Sequence, residues 1–166
     1  MLYTQGEEWL NRSIALHDWA WLYGWDEPCG GFWWCNCDGR RYKDNIELVE
    51  AMHLAAKLAY LQPNQTRFLS SAKKIWNWFF SYDNGRGLMS ETNLVSTGVV
   101  PEKCCNSTST NTNKQCYNAG LHGTSYNNGL FLSAAAYLYL STGNHTYLKT
   151  GIQLAEAVIA NLRRAG

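Results

Sequence analysis

Asn45-Ile46-Glu47-Leu48-Val49-Glu50-Ala51-Met52-His53-Leu54-Ala55-Ala56-Lys57-Leu58-Ala59-Tyr60-Leu61 decides the architecture of this chain. Its polar residues shrink to Glu47, Glu50, His53 and Lys57, spaced by three, three and four, so apolar surface covers every other side of a helix. Such a helix is enclosed by others. Its neighbours in sequence read differently. Over residues 4–23, Gly6, Trp9, Leu10, Ile14 and Trp21 oppose Glu7, Glu8, Asn11, Arg12 and Asp18. Over 66–81, Phe68, Ala72, Ile75, Trp76 and Phe79 oppose Arg67, Ser71, Lys73, Lys74 and Asn77. Both patterns predict amphipathic outer helices with one buried stripe. Residues 130–140 carry no charge and predict a second helix buried on all sides, while 147–163 place Leu148, Ile152, Ala155, Ile159 and Leu162 on one outer-helix stripe. The order is outer, inner, outer, inner, outer.

A weak internal repeat agrees with this order: Tyr60-Leu61 and Phe68-Leu69 recur 79 residues later as Tyr139-Leu140 and Tyr147-Leu148. Short turns at 62–65 and 141–145 lead from each inner helix to the next outer one, and long connections at 24–44 and 83–125 lead from outer to inner. All long loops therefore emerge at one end. That asymmetry is expected of an all-α toroid whose loops build a site on one face. An all-α solenoid of helical repeats would show the same alternation. Five helices do not close a toroid, so a partial ring is expected, a single domain over 1–166 with helices missing at both ends.

Composition limits the partners. The chain has 166 residues, enough for one domain that buries a sizeable core. With 16% charged residues and a formal net charge of +1, nothing draws it to nucleic acid or an anionic membrane. No apolar run reaches the roughly 18 residues of a membrane span. Eight tryptophans are more flat apolar surface than a small core needs, which points to a neutral ligand. No cofactor or metal is called for, and a monomer is expected.

Six cysteines and four N-x-[ST] sequons, at Asn11, Asn64, Asn106 and Asn144, argue for an extracellular protein. All four asparagines are expected to be reachable by a glycosyltransferase. The start Met1-Leu2-Tyr3-Thr4-Gln5-Gly6 has neither a basic nor an apolar leader region. A truncated N-terminus reconciles the two observations. The cysteines divide into Cys29, Cys35 and Cys37 in the first long loop and Cys104, Cys105 and Cys116 in the second. If all are paired, at least one bridge joins the loops; the rival reading is zinc, for which Cys35-x-Cys37 has the wrong spacing.

Chemistry concentrates at two helix starts. Cys29-Gly30-Gly31-Phe32-Trp33-Trp34 sets two indoles after a turn whose missing side chains allow a sharp bend or close approach to a ligand. Sugar rings pack their C–H faces on indole, so Trp33 and Trp34 are candidate ligand contacts, although such rings also cover core ends. Trp9, Trp19, Trp76 and Trp78 lie within helices and are expected to pack. Lys43-Asp44-Asn45 opens the first inner helix, where Asp44 and Glu47 form a D-x-x-E capping box or face the lumen with raised pKa values. Tyr126-Asn127-Asn128 opens the second, and three neutral hydrogen-bonding side chains there suit hydroxyl groups. His53 is read as a core histidine. The candidate binding set is Trp33, Trp34, Lys43, Asp44, Tyr126, Asn127 and Asn128.

These residues resemble glycoside hydrolase family 76, the endo-α-1,6-mannanases and their fungal cell-wall relatives, which have an (α/α)6 barrel. The resemblance rests on Cys29-Gly30-Gly31-Phe32-Trp33-Trp34, the Lys43 helix start, Ala72-Lys73-Lys74-Ile75-Trp76-Asn77-Trp78, Tyr126-Asn127-Asn128-Gly129, and Thr142-Gly143 followed by Tyr147-Leu148. It departs from the family at Phe32, usually a third glycine, and at Asp44, usually asparagine. The family's two adjacent catalytic aspartates precede the region matched here, and this chain has no Asp-Asp pair. Its adjacent acids, Glu7-Glu8 and Asp26-Glu27, stand in other contexts, so no catalytic residue is assigned.

The resemblance implies a retaining hydrolase or transglycosylase on α-1,6-mannan, built on two carboxylates, with this chain supplying the substrate trough. The competing class is a non-catalytic carbohydrate-binding or scaffolding helical domain. A third reading, an unsaturated-uronyl hydrolase, would need a basic subsite drawn from Arg40, Arg41 and Lys43.

Overall fold

The computed structural model describes residues 2–26, 30–34, 43–81, 87–100, 117–118 and 124–164. Five helices form: α1 (Leu2–Tyr23), α2 (Asn45–Leu61), α3 (Thr66–Phe79), α4 (Ser125–Thr142) and α5 (His145–Arg164). The six cysteines, Arg40, Arg41, Glu27 and the Asn106 sequon lie outside the described residues. Among those that are described, no helix is long and apolar enough to cross a membrane.

The inner helices are α2 and α4, and the core forms where they meet. Leu48, Val49, Met52, Ala55 and Ala56 of α2 are buried with Phe131, Ala134, Ala135 and Leu138 of α4. Alanines at the contact let the two axes approach closely. The outer helix α3 lays Phe68, Ala72, Ile75, Trp76 and Phe79 onto this pair. Capping fixes the ends. Asp44, with extended backbone, accepts the Ile46 N–H on its carboxylate at 3.1 Å and starts α2. Gly143, at φ +67, ends α4 by donating its N–H to the Tyr139 carbonyl at 2.7 Å.

The inner helices run parallel. Asn45, at the start of α2, donates from Nδ2 to the Ser96 carbonyl at 2.7 Å, and Asn128, in the first turn of α4, accepts the Val95 N–H at 2.9 Å. Further down, the His53 and Tyr137 rings lie 6.0 Å apart. Both helix starts are therefore tied to one segment at one end, and the short turns after Leu61 and Thr142 lie at the other.

That tying segment is a feature the periodicity does not show. Leu88 and Val95 are fully buried, the Met89 and Val95 backbones bridge, and Ser96 Oγ donates to the Leu88 carbonyl at 2.9 Å. A small antiparallel sheet extends it, with β1 (Lys43–Asp44), β2 (Gly98–Val100) and β3 (Tyr117–Asn118) side by side in that order. Among the described residues, the regular structure is helical apart from these short strands.

Three packing expectations change. Trp9 and Trp19 are 64% and 54% exposed, because α1 packs through Leu10, Ile14, His17 and Trp21, at four-, three- and four-residue steps, and both tryptophans point away from that stripe; Gly6 continues the stripe but meets no neighbour. On α5 the stripe is offset by one residue. Tyr147 and Leu154 are buried and Gly151 meets Ala135, whereas Ile152 and Ile159 are each 51% exposed. The apolar face of α5 is two stripes wide, and contact with α4 selects the other one. Third, the inner helices are not buried on all sides: Tyr60, Leu61 and Leu140 are about half exposed, since α1, α3 and α4 cover only part of α2.

Candidate functional site

The loop between α1 and α2 is clamped around Lys43. Only 2% exposed, this lysine donates from Nζ to Asp26 Oδ2 at 2.7 Å and to the Gly30 carbonyl, and sets its ammonium 4.5 Å from the Trp33 ring centre. Burial pulls the Lys43 pKa down while the Asp26 carboxylate holds it up. Backbone bonds finish the clamp: Asp26 N–H to the Gly31 carbonyl at 2.9 Å, and Trp33 N–H to the Gly24 carbonyl at 3.0 Å. Phe32 turns inward and stacks edge-on against Trp21 and Trp25.

The Gly-Gly turn answers to a neighbour that sequence reasoning left as a packing residue. Gly30 and Gly31 have φ of +69 and +77; a methyl on Gly30 would overlap the Trp78 indole, and one on Gly31 would lie 2.8 Å from it. The close approach is to Trp78. Gly30→Ala combines left-handed strain with this overlap and is expected to lower stability by about 2 kcal/mol, read as the shift in a urea unfolding midpoint.

Trp33 and Trp34 share a cavity of about 440 Å³ with Trp19, Tyr23, Phe32 and Glu47. Trp34 is 44% exposed. Two carboxylates, Glu47 and Glu50, line the cavity. Glu47 Oε2 is buried with no hydrogen-bond partner, and burial pushes its carboxyl up to about 7, helped by the nearby Asp44 and Glu50 charges. Asp44, half-buried, is also raised by burial, against the pull of the backbone N–H bonds it accepts as a cap.

At the start of α4 the three candidates separate. Tyr126 is 56% exposed. Asn127 is buried with Oδ1 unpartnered. Asn128 is structural as well as terminal, since its oxygen holds Val95 and its Nδ2 donates to the Thr124 carbonyl at 2.8 Å. The structure thus brings Trp33, Trp34 and Glu47 into one cavity and puts Tyr126 and Asn127 at the same end. Lys43 and Asn128 are drawn into internal hydrogen bonds. With its charge committed to Asp26, Lys43 is not a free cation for a substrate carboxylate. One acid of each adjacent pair is engaged: Glu8 pairs with Arg12 at 2.5 Å on an exposed face, and Asp26 with Lys43. His53 is half-buried at the edge of Tyr137, its pKa lowered by burial.

Comparison with known proteins follows the same outline. The model of glycosyl hydrolase family 76 matches residues 2–163. The mannan endo-1,6-alpha-mannosidase DCW1 of Candida albicans is 33% identical over 158 residues, which is 90% of this chain and 31% of that protein. DCW1 of Saccharomyces cerevisiae is 32% identical over 152 residues, 86% of this chain and 30% of that protein. This chain therefore spans about a third of the length of these relatives. A crystal structure of a family 76 glycoside hydrolase from a bovine Bacteroides thetaiotaomicron strain matches with a TM-score of 0.73 at 27% identity, over 93% of this chain and 30% of that one. The alternating helices are an arc of the (α/α)6 toroid of those proteins, and with nearly every residue inside the family match, the chain belongs to glycosyl hydrolase family 76.

Proposed function

We propose that this chain is the substrate-trough part of a glycoside hydrolase or transglycosylase acting on α-1,6-mannan, and that the catalytic carboxylates are supplied by other parts of the complete protein. The arrangement at the mouth carries the reading: two parallel inner helices start at one end, beside a cavity walled by Trp33 and Trp34. Indole faces offer C–H packing to pyranose rings, and Tyr126 and Glu47 offer hydrogen bonds to hydroxyls. Within the described residues every aspartate is engaged: Asp18 by Arg67 and His17, Asp26 by Lys43, and Asp44 by its helix cap. On this reading the full protein works outside the cell, at the wall or beyond it, as a monomer with a mannan-like polysaccharide as partner.

Incubating residues 1–166 alone with α-1,6-mannan tests the division of labour. No reducing ends are expected to appear, while the full-length protein releases them. Release by the isolated chain would overturn the assignment of the acids to other parts of the protein.

A further inference from the structure

Two of the four sequons, Asn64-Gln65-Thr66 and Asn144-His145-Thr146, fall on the same feature of the helical repeat, the short turn from an inner helix to the next outer one. Because α2 and α4 are parallel, both turns lie at the pole opposite Trp33 and Trp34. Both asparagines are exposed. At the second turn, Asn144 Oδ1 accepts the Thr146 N–H at 3.0 Å, an Asx turn that occupies the side-chain oxygen and not the nitrogen. At the first, the Gln65 N–H closes on the Gln62 carbonyl at 2.9 Å around Pro63 and Asn64, leaving Asn64 at the tip. Asn11 differs. It lies inside α1, where the hydroxyl of its sequon serine, Ser13, is donated to the Trp9 carbonyl at 2.9 Å, so a transferase would have to unwind the helix to use it.

We propose that Asn64 and Asn144 both carry N-linked glycans, giving the ring a glycosylated pole that faces away from the polysaccharide groove. The donor class is a lipid-pyrophosphate-linked oligosaccharide. A bond forms between the asparagine Nδ2 and the sugar C1, the C1–O bond to pyrophosphate breaks, the amide gives up one proton and the lipid pyrophosphate leaves. Attached at the far ends of α2 and α4, these glycans do not compete with substrate at the tryptophan mouth. The proposal rests on the extracellular placement given above and not on the mannan chemistry.

The test uses full-length protein secreted from a yeast host, deglycosylated enzymatically in ¹⁸O water so that each occupied asparagine becomes a labelled aspartate. Label is expected at both Asn64 and Asn144. Asn64→Ser and Asn144→Ser keep a small polar residue at each turn, serine being a good helix cap; each is expected to remove one glycan's worth of mass, the pair two, with mannan turnover unchanged. Absence of label at either position, or a loss of turnover in the double variant that treatment of the wild type with glycosidase reproduces, overturns the proposal. Label at both positions in a protein that leaves mannan intact supports it and counts only against the mannan reading.

Discussion

Lys43→Met is expected to lower the stability of the folded protein by about 3–5 kcal/mol, the cost of stripping one partner from a buried ion pair. Lys43 is 2% exposed and Asp26 12%, so the carboxylate left behind has little water to turn to. The same change removes a donor from the Gly30 carbonyl and the cation from the face of Trp33. Asp26→Asn in the same protein removes the negative charge that Lys43 balanced, and the double variant is expected to recover part of the loss. Urea unfolding of the wild type, both single variants and the double variant reads this as a coupling energy. A Lys43→Met protein with the wild-type midpoint would show that the ammonium does not hold the loop. Under the proposed function the consequence in the full-length protein is also functional. Trp33 loses the cation 4.5 Å from its ring centre, and if the ring shifts by about 1 Å as a substrate-positioning group, turnover is expected to fall by about 100-fold.

The Lys43 clamp marks the boundary of what the sequence makes legible. Helices α2 and α4 stand out because their polar stripes are narrow, and the order of outer and inner helices follows from that contrast alone. Their common end follows from loop lengths. What escapes is whatever depends on a partner far along the chain. Asp26 is seventeen residues from Lys43, so a lysine beside a helix start reads as a ligand contact until its partner is known. Trp78 reads as ordinary packing, and only the fold shows that it is the reason Gly30 and Gly31 lack side chains. Strands of two or three residues, such as β1 and β2, are too short to leave a period. The α5 offset has a different cause: Leu148, Ile152 and Ile159 form as good a stripe as Tyr147, Gly151 and Leu154, and only contact with α4 selects between them. Trp9 and Trp19 fail because indole on a helix is ordinarily buried, while here α1 presents them on its uncovered face.

Glu47 predicts an inverted pH dependence. Its carboxyl titrates near 4.5 in the unfolded chain and at about 7 in the folded one. Between those values the folded chain holds a proton that the unfolded chain has released, so stability falls as pH rises through that window and is flat above it with respect to this group. The expected loss is about 2–3 kcal/mol, reduced from the full linkage value because the side chain keeps partial access to solvent. Glu47→Gln keeps the shape and stays neutral throughout. It is expected to match the wild type at pH 4 and to exceed it above pH 7, in urea midpoints measured at a series of pH values. The difference between the two series isolates Glu47 from Asp44, whose pKa is also raised, and from His17 and His53, whose lowered pKa values act in the opposite direction. A constant difference across the series would place the Glu47 carboxylate in water. The same protonation bears on the site. Below pH 7 Glu47 is a hydrogen-bond donor in a cavity walled by Trp33 and Trp34, able to donate a hydrogen bond to a sugar hydroxyl. Glutamine retains that capacity and alanine does not, so binding of mannan oligosaccharides by the full-length protein at pH 5 is expected to survive Glu47→Gln and to weaken in Glu47→Ala.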